Sequence, residues 1–162
     1  MKINKVRLSI VLAILLVLYL GSKFFIINVT PSLARGIYLL LPAKDIKRGD
    51  IVVFNIPEKL KNCEYIPNYT KLLLKQVGAL EDDVVLKKDN ILYINNKKYG
   101  KIYKKDNLGI DLPQIQDKEL QPNKDEFLPL ATHINSFDGR YYGVIPINQI
   151  KNKAKIIFNF ER

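Results

Sequence analysis

Residues 71–103 read KLLLKQVGALEDDVVLKKDNILYINNKKYGKIY. Short runs of Leu, Val, Ile and Tyr (LLLKQV, VVLKK, ILYI, KKYGKIY) are parted here by acidic and Asn-rich turn residues. None is long enough for an ordinary helix, and short β-branched and aromatic runs between turn signals read as strands. Asn95-Asn96, between ILYI and KKYGKIY, is a hairpin signal, because Asn tolerates the left-handed backbone of a tight turn. The pattern extends outward to IYLLLP (37–42), DIVVFNIP (50–57) and KIIFNF (155–160), with a Gly-containing turn, Arg48-Gly49-Asp50, ahead of IVVF. These residues predict a mainly β domain. A polar stretch over 104–125 and a Pro-containing stretch over 56–70 predict long irregular segments.

The first 27 residues follow a different rule. Lys2, Lys5 and Arg7 precede LSIVLAILLVLYL (8–20), and Gly21, Ser22, Lys23 and FFII follow. Counted over 8–27 the segment is roughly 30 Å long as a helix, the thickness of a bilayer's hydrocarbon core, with Lys23 snorkelling. No small-residue cleavage motif follows, so an uncleaved anchor is expected. Basic residues on its N-terminal side predict a cytoplasmic N-terminus over 1–7, a single pass over 8–27, and an extracytoplasmic (periplasmic) domain over 28–162. The expected location is the cytoplasmic (inner) membrane.

Composition narrows the chemistry. The 162-residue chain carries 26 basic and 16 acidic residues, a net charge of +10, and its first acidic residue is Asp45. Beyond residue 23 there are 22 basic against 16 acidic residues, spread along strands and loops rather than clustered with aromatics, which argues against nucleic acid as a partner. One Cys and one His can build neither an internal disulfide nor a typical zinc site. No cofactor or metal is expected.

Nucleophiles are scarce. Of the four serines, Ser9 and Ser22 lie in the apolar segment or at its edge, leaving Ser32 and Ser136. A serine needs a base, and the sole histidine, His133, allows a Ser32–His133–Asp138 triad by composition, as Cys63 with His133 allows a thiol pair. The other available base is lysine. Lysine must lose its proton to act, and desolvation is what lowers its pKa. Lys75, between three Leu and a Val-Gly-Ala-Leu run, is the lysine whose flanks suit that task.

Four segments then fall into a known order: NVTPSLARGIY (28–38), KRGDIVVF (47–54), LLLKQVGALEDD (72–83) and SFDGRYYGVIP (136–146). Behind an N-terminal anchor, they resemble the signal peptidase I superfamily of Ser-Lys proteases, and most closely its conjugative-transfer branch, the TraF-type peptidases. The likeness runs to a closing strand in INQIKNKAKIIF (147–158). It implies a β-rich catalytic module with Ser32 as nucleophile, Lys75 as general base, and Asp138 the acidic residue that branch uses most directly. It also implies that Thr30 supports the oxyanion, that Ser136 positions the lysine and that Arg140 pairs with Asp138; an Asp-Gly-Arg turn with a purely structural ion pair is the alternative for the last two. The expected partner is an exported precursor, a pilin-like subunit in the conjugative branch, with the bilayer and the conjugative secretion machinery around it and cyclisation of the product an added outcome. A general type I signal peptidase is the alternative within the class. A non-catalytic, membrane-tethered β module of a secretion or pilus assembly is the alternative outside it. Two positions depart from the branch pattern: Ala34 stands where Pro is usual, and Gly139 where Ser is common.

Overall fold

The computed structural model describes residues 5–61 and 63–161. Lys2, and with it most of the basic N-terminus expected over 1–7, lies outside them.

The apolar N-terminus forms helix α1, Lys5–Ser22, long and apolar enough to cross a membrane. Its large apolar side chains are exposed, Leu12, Leu16 and Val17 among them. The helix stops short of the expected boundary at residue 27. Phe25–Asn28 is instead strand β1, paired antiparallel with β2, Gly36–Pro42. Gly21 and Ser22 end the helix poorly protected against fraying, and Phe25 to Asn28 are residues a sheet edge accepts as readily as a helix. Pairing with β2 decides between the two.

The remaining strands are β3 (Ile51–Asn55), β4 (Leu72–Ala79), β5 (Val85–Lys88), β6 (Ile91–Ile94), β7 (Lys97–Lys101), β8 (Glu126–Leu130), β9 (Ile145–Pro146) and β10 (Ile150–Asn159). They make a seven-stranded sheet ordered β1-β2-β10-β3-β4-β8-β9 and a three-stranded sheet β5-β6-β7. The strand expectation for 71–103 is met. Asn95 and Asn96 both adopt positive φ in the β6–β7 turn, and so do Asp89 and Asn90 between β5 and β6, a second two-residue hairpin of the same kind. Residues 56–70 and 104–125 are irregular apart from single 3₁₀ turns at Glu58–Leu60 and Asp117–Glu119 and one isolated bridge, Lys105 with Asp111.

Strands β3 and β8 are buried on both faces, which is why their sequences run apolar without alternation. Val52, Phe54 and Phe127 enter one core, where Phe54 and Phe127 meet edge to face at 5.4 Å. Val53 turns to a second cluster with Tyr38 and Ala154, while Leu128 and Leu130 join Leu92 and Ile94 in a third. The three-stranded sheet therefore closes onto the large sheet through β8. A four-residue helix, α2 (Gly139–Tyr142), packs on β8 with all its residues buried.

Candidate active site

Lys75 sits in the middle of the large sheet, on β4 between β3 and β8 and directly opposite Val52. Alternation along a strand puts Leu73 and Val77 on its face, and both pack in the first core. The lysine is 5% exposed. Burial is the main force on its pKa, which falls from 10.5 to about 8; the Asp138 charge opposes that fall and the Arg140 charge assists it. The ammonium donates to Ser136 Oγ at 3.0 Å. Ser136 is itself buried, so lysine and hydroxyl hold one another out of water.

Ser32 lies in the turn between β1 and β2. Three carbonyls of that turn, those of Thr30, Leu33 and Ala34, accept hydrogen bonds from the Asn28 side-chain amide at 3.0–3.1 Å. Asn28 Oδ1 in turn accepts from the Thr30 backbone N–H and from the Thr30 hydroxyl at 2.7 Å. One buried side chain thus ties the Ser32 turn into a fixed shape, and it does so without the proline expected at position 34. Tyr38 adds a further tie, its hydroxyl donating to the Ala34 carbonyl.

The Thr30 hydroxyl has a single proton, and it is given to Asn28. The 3.1 Å contact between Thr30 Oγ1 and Ser32 Oγ therefore has serine as its donor. Among the described residues Ser32 and Lys75 share no hydrogen bond. Rotation about one side-chain bond is enough to release the serine hydroxyl from Thr30. The Ser32 backbone N–H has no partner among the described residues, which leaves a donor free beside the Ser32 hydroxyl.

Strand β8 brings the two halves together. Gln76, next to Lys75, pairs with Leu130, and two residues further on the Thr132 N–H donates to the Ser32 carbonyl at 3.1 Å. The segment between, 131–138, is shaped by the Asp138–Arg140 pair. Asp138 is fully buried and Arg140 is 2% exposed. Asp138 Oδ1 accepts from Arg140 Nε at 2.8 Å and Oδ2 from Arg140 Nη2 at 3.0 Å, a bidentate pair, while Oδ2 also takes the Ala131 N–H. The remaining guanidinium protons reach the carbonyls of Lys101, Ile134, His133 and Ser136. Burial works against the arginine's charge, but the Asp138 hydrogen bond and charge outweigh it, and its pKa lies above the ordinary value.

Of the residues expected from sequence, Thr30 with Ser32, Lys75 with Ser136, and Asp138 with Arg140 meet as three bonded pairs. Asp138 has no hydrogen bond to Lys75 or Ser32 among the described residues; it acts on Lys75 through its charge and through the loop it anchors. The triad has none of its bonds: His133 is exposed and its Nδ1 accepts from the Asn135 N–H, while Asp138 is committed to Arg140. Cys63 is a half-buried free thiol. Asn28 joins these as a site residue that the sequence does not single out, although it opens the NVTPS segment.

Gly139 has a packing reason. A Cβ there would lie 2.6 Å from the Pro129 carbonyl oxygen and 2.8 Å from a Leu128 methyl. The serine common at this position does not fit this chain as it stands. Gly139→Ser is expected to destabilise the domain by about 1–3 kcal/mol, as overpacking does, read as a lowered Tm; an unchanged Tm would contradict the packing account.

The family model described as "Signal peptidase, peptidase S26" matches residues 2–159. The chain belongs to the signal peptidase S26 family. Among curated proteins, this S26 member is 27% identical over 116 residues to "Probable signal peptidase I-2" of Synechocystis sp., over 71% of this chain and 49% of that protein. It is 30% identical over 119 residues to "Signal peptidase I" of Bacillus caldolyticus, over 67% of this chain and 59% of that one. The chain thus spans roughly half to three fifths of the length of these relatives. A crystal structure of signal peptidase I from Enterococcus faecalis V583 overlays with a TM-score of 0.42 and 20% identity, over 68% of this chain and 97% of that one.

Proposed function

We propose that this S26 member is a membrane-anchored serine endopeptidase that cuts an exported precursor with a Ser32–Lys75 dyad. One observation carries the reading: a lysine buried in a central strand, with its pKa brought to about 8, joined through the neighbouring strand β8 and the Thr132 N–H to a serine turn held rigid by Asn28. Burying a lysine there costs the fold on the order of 3 kcal/mol, an expense a structural role does not require.

Neutral Lys75 takes the Ser32 hydroxyl proton as Oγ attacks the scissile carbonyl. The Ser32 N–H and the Thr30 hydroxyl, once turned from Asn28, donate to the oxyanion. Lys75 then returns the proton to the leaving amine, and water attacks the acyl-enzyme to free the acid. Ser136 holds Nζ throughout, and the Asp138–Arg140 pair holds Ser136.

Helix α1 supports anchoring, since an exposed apolar helix of 18 residues is about 27 Å long and has no stable place in water. The basic residues at its N-terminal end, Lys2, Lys5 and Arg7, favour an extracytoplasmic domain at the cytoplasmic membrane. Within the class, the Asn28-x-Thr30-x-Ser32 spacing and SFDGRYYG favour a pilin-like subunit of a conjugative system, with cyclisation by an amine in place of water as a further outcome. The relatives' names favour signal peptides of exported precursors at large.

Co-expression with a pilin-type precursor and, separately, with a secreted-enzyme precursor separates the two. Processing of the pilin precursor alone, lost in Ser32→Ala and absent in cells lacking the chain, is the expected result. The mass of the product distinguishes a free acid from a ring. Equal processing of both precursors would assign the general activity, and processing that survives Ser32→Ala would refute the dyad and favour the non-catalytic module.

A further inference from the structure

Segment 131–138 separates two clefts of different character. On the Ser32 side, Pro31, Leu33, Ala34, Arg35, His133 and Glu161 line a cleft of about 470 Å³ that carries charge. On the Ser136 side lies a second cleft, of about 360 Å³, within the size range of specific ligand sites. Its floor is aromatic. Phe137 stacks on Tyr65 at 4.9 Å and on Tyr141 at 5.6 Å, with Leu108 and Leu112 at the edge.

The polar groups around that floor fall into two sets. Some are already used: the Tyr65 hydroxyl donates to the Asp111 carbonyl, the Tyr141 oxygen accepts from the Tyr103 N–H, Asp106 caps Leu108 and Ile110, and Lys105 pairs with Asp111. The side-chain amides of Asn107 and Asn135 have no hydrogen-bond partner among the described residues. An aromatic wall with two free amides at the rim suits an apolar side chain carried on a peptide backbone, and the charged lining residues Lys105 and Asp106 already have partners. The cleft reaches the dyad through one residue: Ser136 lines it and accepts from Lys75 at 3.0 Å, on the face of segment 131–138 turned away from Ser32.

We propose that this cleft is a recognition pocket for an aromatic or large aliphatic side chain of the precursor, a reading that rests on the chain acting as a peptidase. Tyr65 and Leu108, from the two irregular segments 56–70 and 104–125, are then specificity-determining residues. Each of the two long segments then contributes residues to the pocket wall.

Two measurements test it. In the first, the full chain in lipid nanodiscs is titrated with N-acetyl-phenylalaninamide and followed by NMR. Shifts are expected at the Asn107, Leu112 and Asn135 amides, absent with N-acetyl-alaninamide, with binding weakened about tenfold in Tyr65→Ala, the loss of roughly one good apolar contact. No shifts at these amides up to the solubility limit, or equal shifts with both compounds, would overturn the assignment. In the second, precursors bearing Phe or Asp at each position flanking the cut are processed by wild type and by Leu108→Asp. One position should favour Phe by about tenfold in kcat/KM, and that ratio should collapse in the variant. Ser32-dependent processing with no such position would sink the pocket and leave the peptidase standing. Phenylalaninamide binding with no precursor cleaved would remove the peptidase reading and this pocket's precursor with it.

Discussion

Lys75→Met is expected to abolish processing and, at the same time, to make the domain more stable at neutral pH. The loss of the general base should lower turnover by roughly 10²- to 10⁴-fold, and adding Ser32→Ala should cost little more, because the two groups act as a unit. The gain in stability follows from the sign of the pKa change. Folding lowers the Lys75 pKa from 10.5 to about 8, so between those values the unfolded chain holds a proton that the folded chain does not. Stability therefore rises with pH across that window; below pH 8 the cost of burial is fully present, about 3 kcal/mol, and above 10.5 it is gone. Methionine fills the same space without a charge. It also leaves Ser136 Oγ without its Lys75 bond, at a cost of about 1–2 kcal/mol, so the net gain is smaller, and it should vanish at high pH. An active Lys75→Met, or one less stable than wild type at pH 7, would refute the account of this lysine.

Arg140→Met is expected to do the reverse and unfold the site. Removing one partner of a fully buried pair leaves Asp138 charged and unneutralised, a loss of about 3–5 kcal/mol, and it also strips donors from four carbonyls in and around 131–138. Because that segment carries the Thr132 N–H that holds Ser32 and the hydroxyl that holds Lys75, activity should fall with stability. A double replacement, Asp138→Leu with Arg140→Met, removes the stranded charge and should recover part of the stability but none of the activity. Wild-type stability in Arg140→Met alone would show that the pair is not what organises the loop.

The strands were legible because their signals are local: four to eight apolar residues, then Asn or Gly. The end of α1 was not. FFII continues an apolar run equally well as helix or strand, and only the register of Phe25, Ile26 and Ile27 with residues 37–39, ten and more positions away, makes it β1. The short helix α2 went unread for want of length, although Asp138 is an N-cap whose side chain accepts from the Arg140 N–H. For Lys75 the immediate neighbours in sequence suggested burial, but the residues that desolvate it are Leu73 and Val77 on its own face and Val52 across the strand pair. Its bond to Ser136 spans 61 positions and was reached only through resemblance. Asn28 shows the opposite case: its spacing was visible, but three carbonyls converging on one amide is a property of the folded turn.

A pH profile of kcat/KM for the wild-type chain on a membrane precursor tests the base most directly. With neutral Lys75 as the active form, the rate should climb about tenfold per pH unit on the acid side and level off near an apparent pKa of about 8. A profile already flat from pH 5 upward would contradict it.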